Sequence, residues 1–529
     1  MAAGNSAAYW RCLFRARDGV TMTTSAARRA VTGARAGPPT LVAGSALIAF
    51  LLAGCVVGPD FKKPAPPDVA AYTDHPVSIT TSTPNLPGGG AQRFTSGADI
   101  AGDWWTLFHS KPLNDLIAQS LANNADLKAA QAALSVAREN MLAQRGVYYP
   151  NVQASFEASR QKQSLALAPT PNNNTFQYSL FTPQVSVSYA LDIFGLNRRN
   201  TELVKAQEQA ARFQMIAAHV TLADNVVAAA VQDASLRAQI AVTRQLIDLN
   251  AKSVEILKYQ FSKGYAGGLD VAAQQSQLDQ VAATLPPLLK QAAAQRDLLA
   301  ILAGRYPSQA PAEAFELSSL TLPQDLPLSL PSKLVAQRPD VLQAQANLQA
   351  ASAQIGIATA NRLPNIDLTA NAGSTALAIG RVFAPGNGFW GLAGTATATV
   401  FDGGTLLHQE RAARAAYVQA GEQYRSTVLA AFQNVADTLA ALEQDAEALK
   451  TAAAAQDAAQ VTLDLSQRQL KSGYASDLSL LVAEQAYQQA SISLVQAQAN
   501  RYADTAALFQ ALGGGWWRDA ELAKDDHAH

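Results

Sequence analysis

The sequence predicts an α+β membrane protein made of two tandem repeats, each with one pair of β-strands and two very long α-helices. Three observations predict this fold class. Landmarks recur in the same order roughly 210 residues apart, long proline-free stretches are rich in helix-forming residues, and four short segments alternate apolar with polar side chains. Similar helices and strands are therefore expected in both halves of the chain.

The composition excludes several classes of protein. Among 529 residues, 40 Lys and Arg balance 41 Asp and Glu, and this net charge of −1 leaves no basic surface for nucleic acid. Six His, four Met and two Cys leave little for metal or redox chemistry. The sequence also lacks a GxxxxGK[ST] loop, an HExxH helix and a CxxC pair. We expect no enzyme, no metal ion and no nucleic-acid partner.

Residues 1–54 are predicted to be a signal peptide. Arg28, Arg29 and Arg35 precede a 13-residue apolar run, Leu41–Ala53, which is too short to span a membrane. A signal peptide that began at Met1 would be unusually long, which favours Met22 as the true start of translation.

Cys55 is predicted to carry a lipid. It ends the sequence Leu52-Ala53-Gly54-Cys55, which is similar to a bacterial lipobox, in which the thiol receives diacylglycerol and the new N-terminus an acyl chain. The alternative is a cysteine that follows a signal peptide by chance. Val56 comes next, rather than the Asp of an inner-membrane retention signal, and this favours an anchor in outer membrane lipid.

Composition and landmarks divide the mature chain into five segments. Residues 55–110, rich in Pro, Gly, Thr and Asp, are expected to be an extended arm with little core of its own. A Pro-rich linker at 320–331 separates repeat 1, at 111–319, from repeat 2, at 332–515, and a tail follows at 516–529. Matching landmarks in the two repeats are Tyr149-Pro150-Asn151 with Leu363-Pro364-Asn365, and Gly304 with Gly513.

Each repeat contains two predicted strands, at about 151–162 and 181–192 in the first and at about 365–375 and 391–401 in the second. Apolar and polar side chains alternate strictly along them, and one face is uncharged. This pattern is typical of strands in an outer-membrane barrel. A soluble sandwich of two sheets is the alternative for any single pair.

Four strands are too few to close a barrel. An open edge in lipid leaves backbone groups without hydrogen bonds, and the smallest membrane barrels have ~8 strands. Two copies of the chain would make a filled 8-stranded barrel, whereas three copies would supply 12 strands around a wider lumen. The strand count therefore predicts an oligomer, and a channel favours a trimer.

The long helices are predicted at 196–262 and 404–471, followed by return helices at 269–304 and 478–512. Each of the first pair would extend roughly 100 Å. Their apolar residues recur at spacings of three and four, as in a coiled coil. An envelope scaffold of paired helices without a pore is the alternative.

Glycine-containing turns join each long helix to its return helix. A glycine just past a helix end allows the left-handed backbone that terminates the helix. The two turns are Lys263-Gly264-Tyr265 and Ser472-Gly473-Tyr474.

Seven short motifs are spread along nearly the whole mature chain. They are Cys55-Val-Val-Gly-Pro-Asp-Phe61, Asp103-Trp104-Trp105, Asn124-Ala-Asp-Leu127, Gln337-Arg-Pro-Asp340, Gln354-Ile-Gly-Ile-Ala358, Val400-Phe-Asp-Gly-Gly404 and Leu512-Gly-Gly-Gly-Trp516. As a set they are specific, although each alone is weak. They resemble the motifs of the TolC/OprM-like outer membrane factors, in the NodT-type lipoprotein branch of RND multidrug efflux.

The resemblance implies a homotrimer with a 12-stranded barrel in the outer membrane and a helical tunnel through the periplasm. It implies a periplasmic adaptor (membrane fusion) protein and an inner-membrane RND transporter as partners, and passive export of drugs or small toxic compounds. The two glycine turns then close the periplasmic entrance and contact the adaptor. Export of metal ions or of protein (type I) by the same architecture is the alternative.

The acidic gate of this family is incomplete in the second turn. The family often places acidic residues six and nine positions after the second glycine, where this sequence has Ser479 and Val482. Asp477 and Glu484 lie nearby and could substitute, although each could equally be a solvated surface charge.

In the first turn, Asp270 stands six residues after Gly264. In relatives this position bonds to the neighbouring hairpin and holds the entrance shut. Lys471 or Arg468 is the expected partner. Such an exposed ion pair is worth ~0–1 kcal/mol per copy.

Overall fold

The computed structural model describes residues 56–75, 78–162, 177–310, 314–474 and 477–523, with the side chains of residues 477 and 478 excluded. The predicted signal peptide and Cys55 lie outside these residues. Six β-strands are described, β1 (Arg93–Ser96), β2 (Asn151–Lys162), β3 (Gln177–Leu191), β4 (Asp325–Leu328), β5 (Asn365–Ser374) and β6 (Gly388–Thr397). The described α-helices are α1 (Lys111–Asn123), α2 (Ala125–Arg145), α3 (Leu196–Ser262), α4 (Gly268–Leu302), α5 (Pro331–Gln337), α6 (Pro339–Ala360), α7 (Thr405–Lys471) and α8 (Asp477–Ala511).

The described chain forms two compact units that do not follow the predicted repeats. The first unit combines residues 56–61, 139–205 and 349–418, and the second combines the remaining described segments. Each unit takes residues from both predicted repeats because α2, α3, α6 and α7 all pass from one unit into the other.

The first unit contains a four-stranded antiparallel sheet in the order β2-β3-β5-β6. The bounds of β3, β5 and β6 differ from the sequence expectation, most of all at the start of β3 and at both ends of β6. β3 begins at Gln177 because its first residues still pair with the end of β2. β6 ends at Thr397, which pairs with the first residue of β5, so residues 398–401 have no partner strand and lie outside the sheet.

The strand register gathers the apolar side chains onto one face of this sheet. Rows of directly paired residues cross all four strands, and successive rows point to opposite faces because side chains alternate along a strand. One apolar row is Val152, Val187, Ala370 and Leu392, and another is Ala154, Val185, Ala372 and Trp390. The row between them is Gln153, Ser186, Asn371 and Gly391.

This apolar face is uncovered, and the sheet is open. Leu392 is 76% exposed and Trp390 is 77% exposed in a single chain. Among the described residues, β2 and β6 each have a neighbouring strand on one side only. One chain therefore presents both an apolar surface and two unpaired edges.

In the second unit, residues of the predicted arm at 55–110 pack against α8 and pair with the predicted linker. Trp104 is fully buried and stacks on Phe509 of α8 with ring centroids 5.1 Å apart. β1 in the arm pairs in parallel with β4, which lies in the predicted linker at 320–331. Arm and linker therefore pair with each other, and Arg93 of β1 also forms an antiparallel bridge with Ile79 within the arm.

The long helices bury their apolar stripes. In α7 the stripe that the three-and-four spacing predicts is half-buried at its first residue, Phe432, and buried at the others. These are Val435, Leu439, Leu442, Ala446, Leu449 and Ala453. The stripe of α3 is interrupted by Asp224, and burial raises the pKa of that carboxyl group to about 6.

Candidate functional site

Two glycine turns of the same geometry terminate the long helices in the second unit. Gly264 and Gly473 both have φ of +77°, in the left-handed region. The backbone N–H of Tyr265 donates to the carbonyl of Gln260 at 2.9 Å, and the N–H of Tyr474 donates to that of Gln469 at the same distance. These bonds cap the last helical carbonyls and reverse the chain.

Each turn presents an aromatic side chain to solvent. Tyr265 is 84% exposed and Tyr474 is 88% exposed. In the first turn, the ammonium group of Lys263 lies 5.5 Å from the ring centroid of Tyr259. Large exposed apolar groups on a tight turn are typical of a surface that another protein covers.

Asp270 has a local partner at the start of α4. Its Oδ2 accepts a hydrogen bond from the backbone N–H of Gly267 at 3.0 Å, and this caps the helix. Within the described part of one chain, no ion pair joins Asp270 to Arg468 or Lys471. Both cations lie in the last turn of α7, where positive charge favours the helix dipole. A pair with a neighbouring subunit remains a prediction.

The interpretation of Glu484 as a solvated surface charge is wrong. It is 1% exposed. Its carboxylate accepts hydrogen bonds from Nε2 of Gln274 at 3.3 Å and from Oγ of Ser253 at 3.5 Å. The same Gln274 amide donates to Oδ1 of Asn250 at 3.0 Å. We call these four residues the Glu484 layer.

The Glu484 layer joins α8 to both helices of the first hairpin. Ser253 and Asn250 belong to α3 and Gln274 to α4, and all are neutral. Burial raises the pKa of Glu484, although the two hydrogen bonds partly oppose that effect. An apolar cluster of Leu463, Leu480 and Ala483 lies in the same unit. The layer is thus a buried polar contact between hairpins, with one group that can lose a proton.

The other candidates near the second turn are less defined. Asp477 begins α8, but its side chain lies outside the described residues. Val482, at the position where relatives often have an acid, is 56% exposed. Cys55 also lies outside the described residues, which begin one position later at Val56.

Sequence reasoning missed two buried arginines. Arg199, 2% exposed, lies in the first unit. Arg501, 1% exposed, lies in the second and donates to the carbonyls of Gly90 and Leu442, both at 3.0 Å. Nothing in a helical pattern marks an arginine as buried, because its partners here are backbone carbonyls from distant segments.

An acid pair beside Arg501 was also missed. Burial raises the pKa of Asp445 in α7 to about 7, and the nearby carboxyl group of Asp504 in α8 adds to this rise. The Arg501 guanidinium opposes that rise.

Comparison with known proteins agrees with this architecture. The toluene efflux pump outer membrane protein TtgC of Pseudomonas putida is 30% identical over 489 residues, covering 90% of this chain and 96% of TtgC. The probable outer membrane lipoprotein SilC of Salmonella typhimurium is 25% identical over 471 residues, covering 88% of this chain and 97% of SilC.

A solved structure shares the fold. The outer-membrane channel OprN superposes with a TM-score of 0.78 at 24% identity, covering 87% of this chain and all of the OprN chain. The sequence also matches the family described as outer membrane efflux protein over residues 116–305 and 330–514, which is more than half of the chain. The chain therefore belongs to the outer membrane efflux protein family, of the TolC/OprM type.

Proposed function

We propose that this chain is the outer membrane channel subunit of a tripartite, RND-type efflux pump. It is a passive duct that carries drugs and small toxic compounds across the periplasm and the outer membrane, and it catalyses no reaction. The open four-stranded sheet is the observation that carries the proposal. Its uncovered apolar face fits lipid, its alternate rows fit a polar lumen, and its two free edges require further copies.

A homotrimer supplies hydrogen-bonding partners for the two free edges of the sheet. Three copies pair β2 of one chain with β6 of the next and close a 12-stranded barrel, which is wide enough to hold water. The long helices of three copies then form the periplasmic tunnel. This arrangement is supported by the shared fold of OprN, which is an outer-membrane channel.

The partners are a periplasmic adaptor protein and an inner-membrane RND transporter. The adaptor contacts the two glycine turns, where Tyr265 and Tyr474 are exposed on tight and similar backbones. Support comes from TtgC, whose name identifies an outer membrane component of a pump.

A lipid on Cys55 anchors the chain to the outer membrane. Diacylglycerol on the thiol and an acyl chain on the amino group would together give two or more hydrocarbon chains, enough for stable anchoring. The lipobox-like sequence supports this, and SilC is named a lipoprotein.

Small organic compounds are the favoured substrates, ahead of metal ions or protein. TtgC is named for the efflux of toluene. A lipoprotein scaffold without a pore is the remaining alternative.

Single-channel conductance of the purified protein in a planar bilayer tests the proposal. We expect a heat-resistant trimer in detergent that conducts through small openings when the entrance is closed. A silent bilayer, with reconstitution confirmed and no trimer in detergent, would count against the pore and favour the scaffold. Deleting the gene should also raise sensitivity to small organic toxins in a strain that retains the adaptor and the transporter.

A further inference from the structure

The first residues of the described chain are held at the junction between β3 and α3. We call residues 56–61 the N-terminal strap. The backbone N–H of Val57 donates to the carbonyl of Phe194 at 3.1 Å. Val56 lies against Gly195, where φ is +82° and an added Cβ would lie 2.8 Å from Cγ1 of Val56. The strap therefore starts in contact with the short turn that follows β3.

The buried Arg199 guanidinium fastens this strap. Its Nε donates to the carbonyl of Val57 at 3.1 Å, and its Nη2 donates to the carbonyl of Gly58 at 3.2 Å and to Oδ1 of Asp60 at 2.8 Å. Its Nη1 donates to Oε2 of Glu202, one turn along α3, at 2.7 Å. One side chain thus binds two backbone carbonyls and one carboxylate of the strap.

Two glycines let the strap, α6 and Arg199 approach closely. Gly58 has φ of +90°, and a Cβ there would lie 2.4 Å from Cα of Gly356. A Cβ on Gly356 would lie 2.7 Å from Cδ of Arg199. Both distances are far below van der Waals contact, so no larger side chain fits without displacing the strap or the arginine.

The strap leads directly to the lipid site of the proposed anchor. Cys55 precedes Val56 in the chain, and consecutive Cα atoms lie ~3.8 Å apart. β3 finishes at the end of the sheet where β2 and β5 begin and β6 finishes. At that end of the register, Asn151 pairs with Ser188 and Asn365 pairs with Thr397. A lipid on Cys55 is therefore held near the end of the sheet from which the long helices continue.

We propose that Arg199 is the positioning residue for the lipidated N-terminus, and that it holds the acyl chains of Cys55 against the end of the barrel from which the long helices continue. The inference rests on the lipid anchor proposed above. Without Arg199 the strap keeps the hydrogen bond from Val57 to Phe194 but loses three others, and its acyl chains then enter the bilayer at no defined place. With the Arg199 contacts, the acyl chains enter the bilayer beside the sheet of the same chain.

Thiol labelling tests whether Arg199 holds the strap. Cys12 lies in the predicted signal peptide and the lipidated thiol of Cys55 does not react with maleimide, so Val57→Cys introduces the one reactive thiol of the mature chain. We expect Arg199→Gln to raise the labelling rate about tenfold or more in purified trimers. Arg198→Gln is the matched control, because Arg198 bonds to Asp192 and not to the strap. Equal rates in both variants would overturn the proposal.

A double-variant comparison tests whether Arg199 acts through the lipid. The readout is the amount of heat-resistant trimer in the outer membrane. Cys55→Ala behind a non-lipoprotein signal peptide, and Arg199→Gln in the lipidated chain, should each lower it several-fold. The two changes together should lower it no further, and Arg199→Lys should restore part of it. Losses that multiply would mean that Arg199 only stabilises the fold, and would overturn its role in positioning.

Mass spectrometry of the N-terminal peptide separates the two proposals. An unmodified Cys55 would refute the anchor itself. A lipidated Cys55 with equal labelling rates would leave the anchor intact and overturn only the role of Arg199.

Discussion

At the scale of single residues, Glu484 combines complete burial with uncharged neighbours. In α3, α4 and α7, the charged groups nearest in sequence to the layer and to Leu463 all lie at exposed or partly exposed positions. They are Asp248, Lys252, Glu255, Asp270, Asp279, Asp464 and Arg468. An ionised carboxylate in such a site lacks the compensation that a buried cation would give it. The Glu484 layer is accordingly the contact between hairpins that responds most directly to protonation.

We predict that the packing of α8 against the first hairpin weakens as pH rises. Burial raises the pKa of Glu484 in the folded state. A raised folded-state pKa contributes stability that is complete below the unfolded-state pKa and is lost as pH rises through the folded value. The protection factors of the first turns of α8, which correct for the base-catalysed rise of the intrinsic exchange rate, should therefore be lower at pH 8 than at pH 5.

Glu484→Gln should remove this pH dependence and stabilise the hairpin contact at pH 8 by about 1 kcal/mol, because the amide keeps an acceptor and has no charge to bury. Asp464→Asn is the control, since Asp464 is partly exposed and bonds within its own helix to Gln460. A Glu484→Gln variant that kept the full pH response of the wild type would rule out this role for the carboxyl group.

A second prediction at this scale concerns Gly356. Gly356→Ala places a methyl group 2.7 Å from Cδ of Arg199 and should lower the free energy of unfolding by about 1–3 kcal/mol. Gly421→Ala in α7 is the matched change, because no atom lies within 4 Å of the added methyl group. It should instead raise stability by about 0.5–1 kcal/mol through the entropy of the unfolded chain. Thermal unfolding of the two variants should shift in opposite directions.

At the scale of elements, the two faces of β6 favour different side chains. Leu392 lies in an apolar row and its neighbour Ala393 pairs with Thr369 on the other face. Leu392→Arg should lose about 2–4 kcal/mol of membrane-inserted stability, the usual effect of a cation facing the hydrocarbon core. Ala393→Arg should be tolerated, because it faces the proposed lumen. The amount of heat-resistant trimer compares them, and equal losses would be incompatible with a lipid-facing row.

Asp270 has two roles to distinguish in the first hairpin. Its side chain caps α4, and as a proposed gate residue its charge would also bind Arg468 or Lys471 of a neighbouring subunit. Asp270→Asn keeps an oxygen that accepts the Gly267 N–H but removes the charge, whereas Asp270→Ala removes both.

If the charge holds the entrance shut, both Asp270 variants should show larger single-channel conductance than the wild type. If only the cap matters, Asp270→Asn should conduct like the wild type. Equal conductance in all three proteins would direct attention to Asp477 and Glu484.

At the scale of the whole molecule, the proposed function depends on copies that one chain does not contain. The sheet of a single chain has two edges, and the turns at Gly264 and Gly473 present exposed tyrosines. Both features fit an assembly in which lipid, neighbouring subunits and an adaptor cover what the isolated chain exposes.

Much of this architecture follows from sequence alone. β2 and α3 have the bounds that alternation and proline spacing predict, and α7 begins one residue later than expected. Elements of this length contain many repeats of one period, so local pattern identifies them well. The strands β1 and β4 were missed because each has four residues, too few to establish a period.

The sequence by itself determined the order of elements, the long helices, the apolar face of the sheet and the glycines at both turns, because each depends on residues a few positions apart. Only the tertiary structure decided the burial of Glu484, the partners of Arg199 and the pairing of the arm with the linker. Those contacts join residues separated by 210, 142 and 232 positions respectively. A contact between distant segments has no period, so it exists only once the chain has folded.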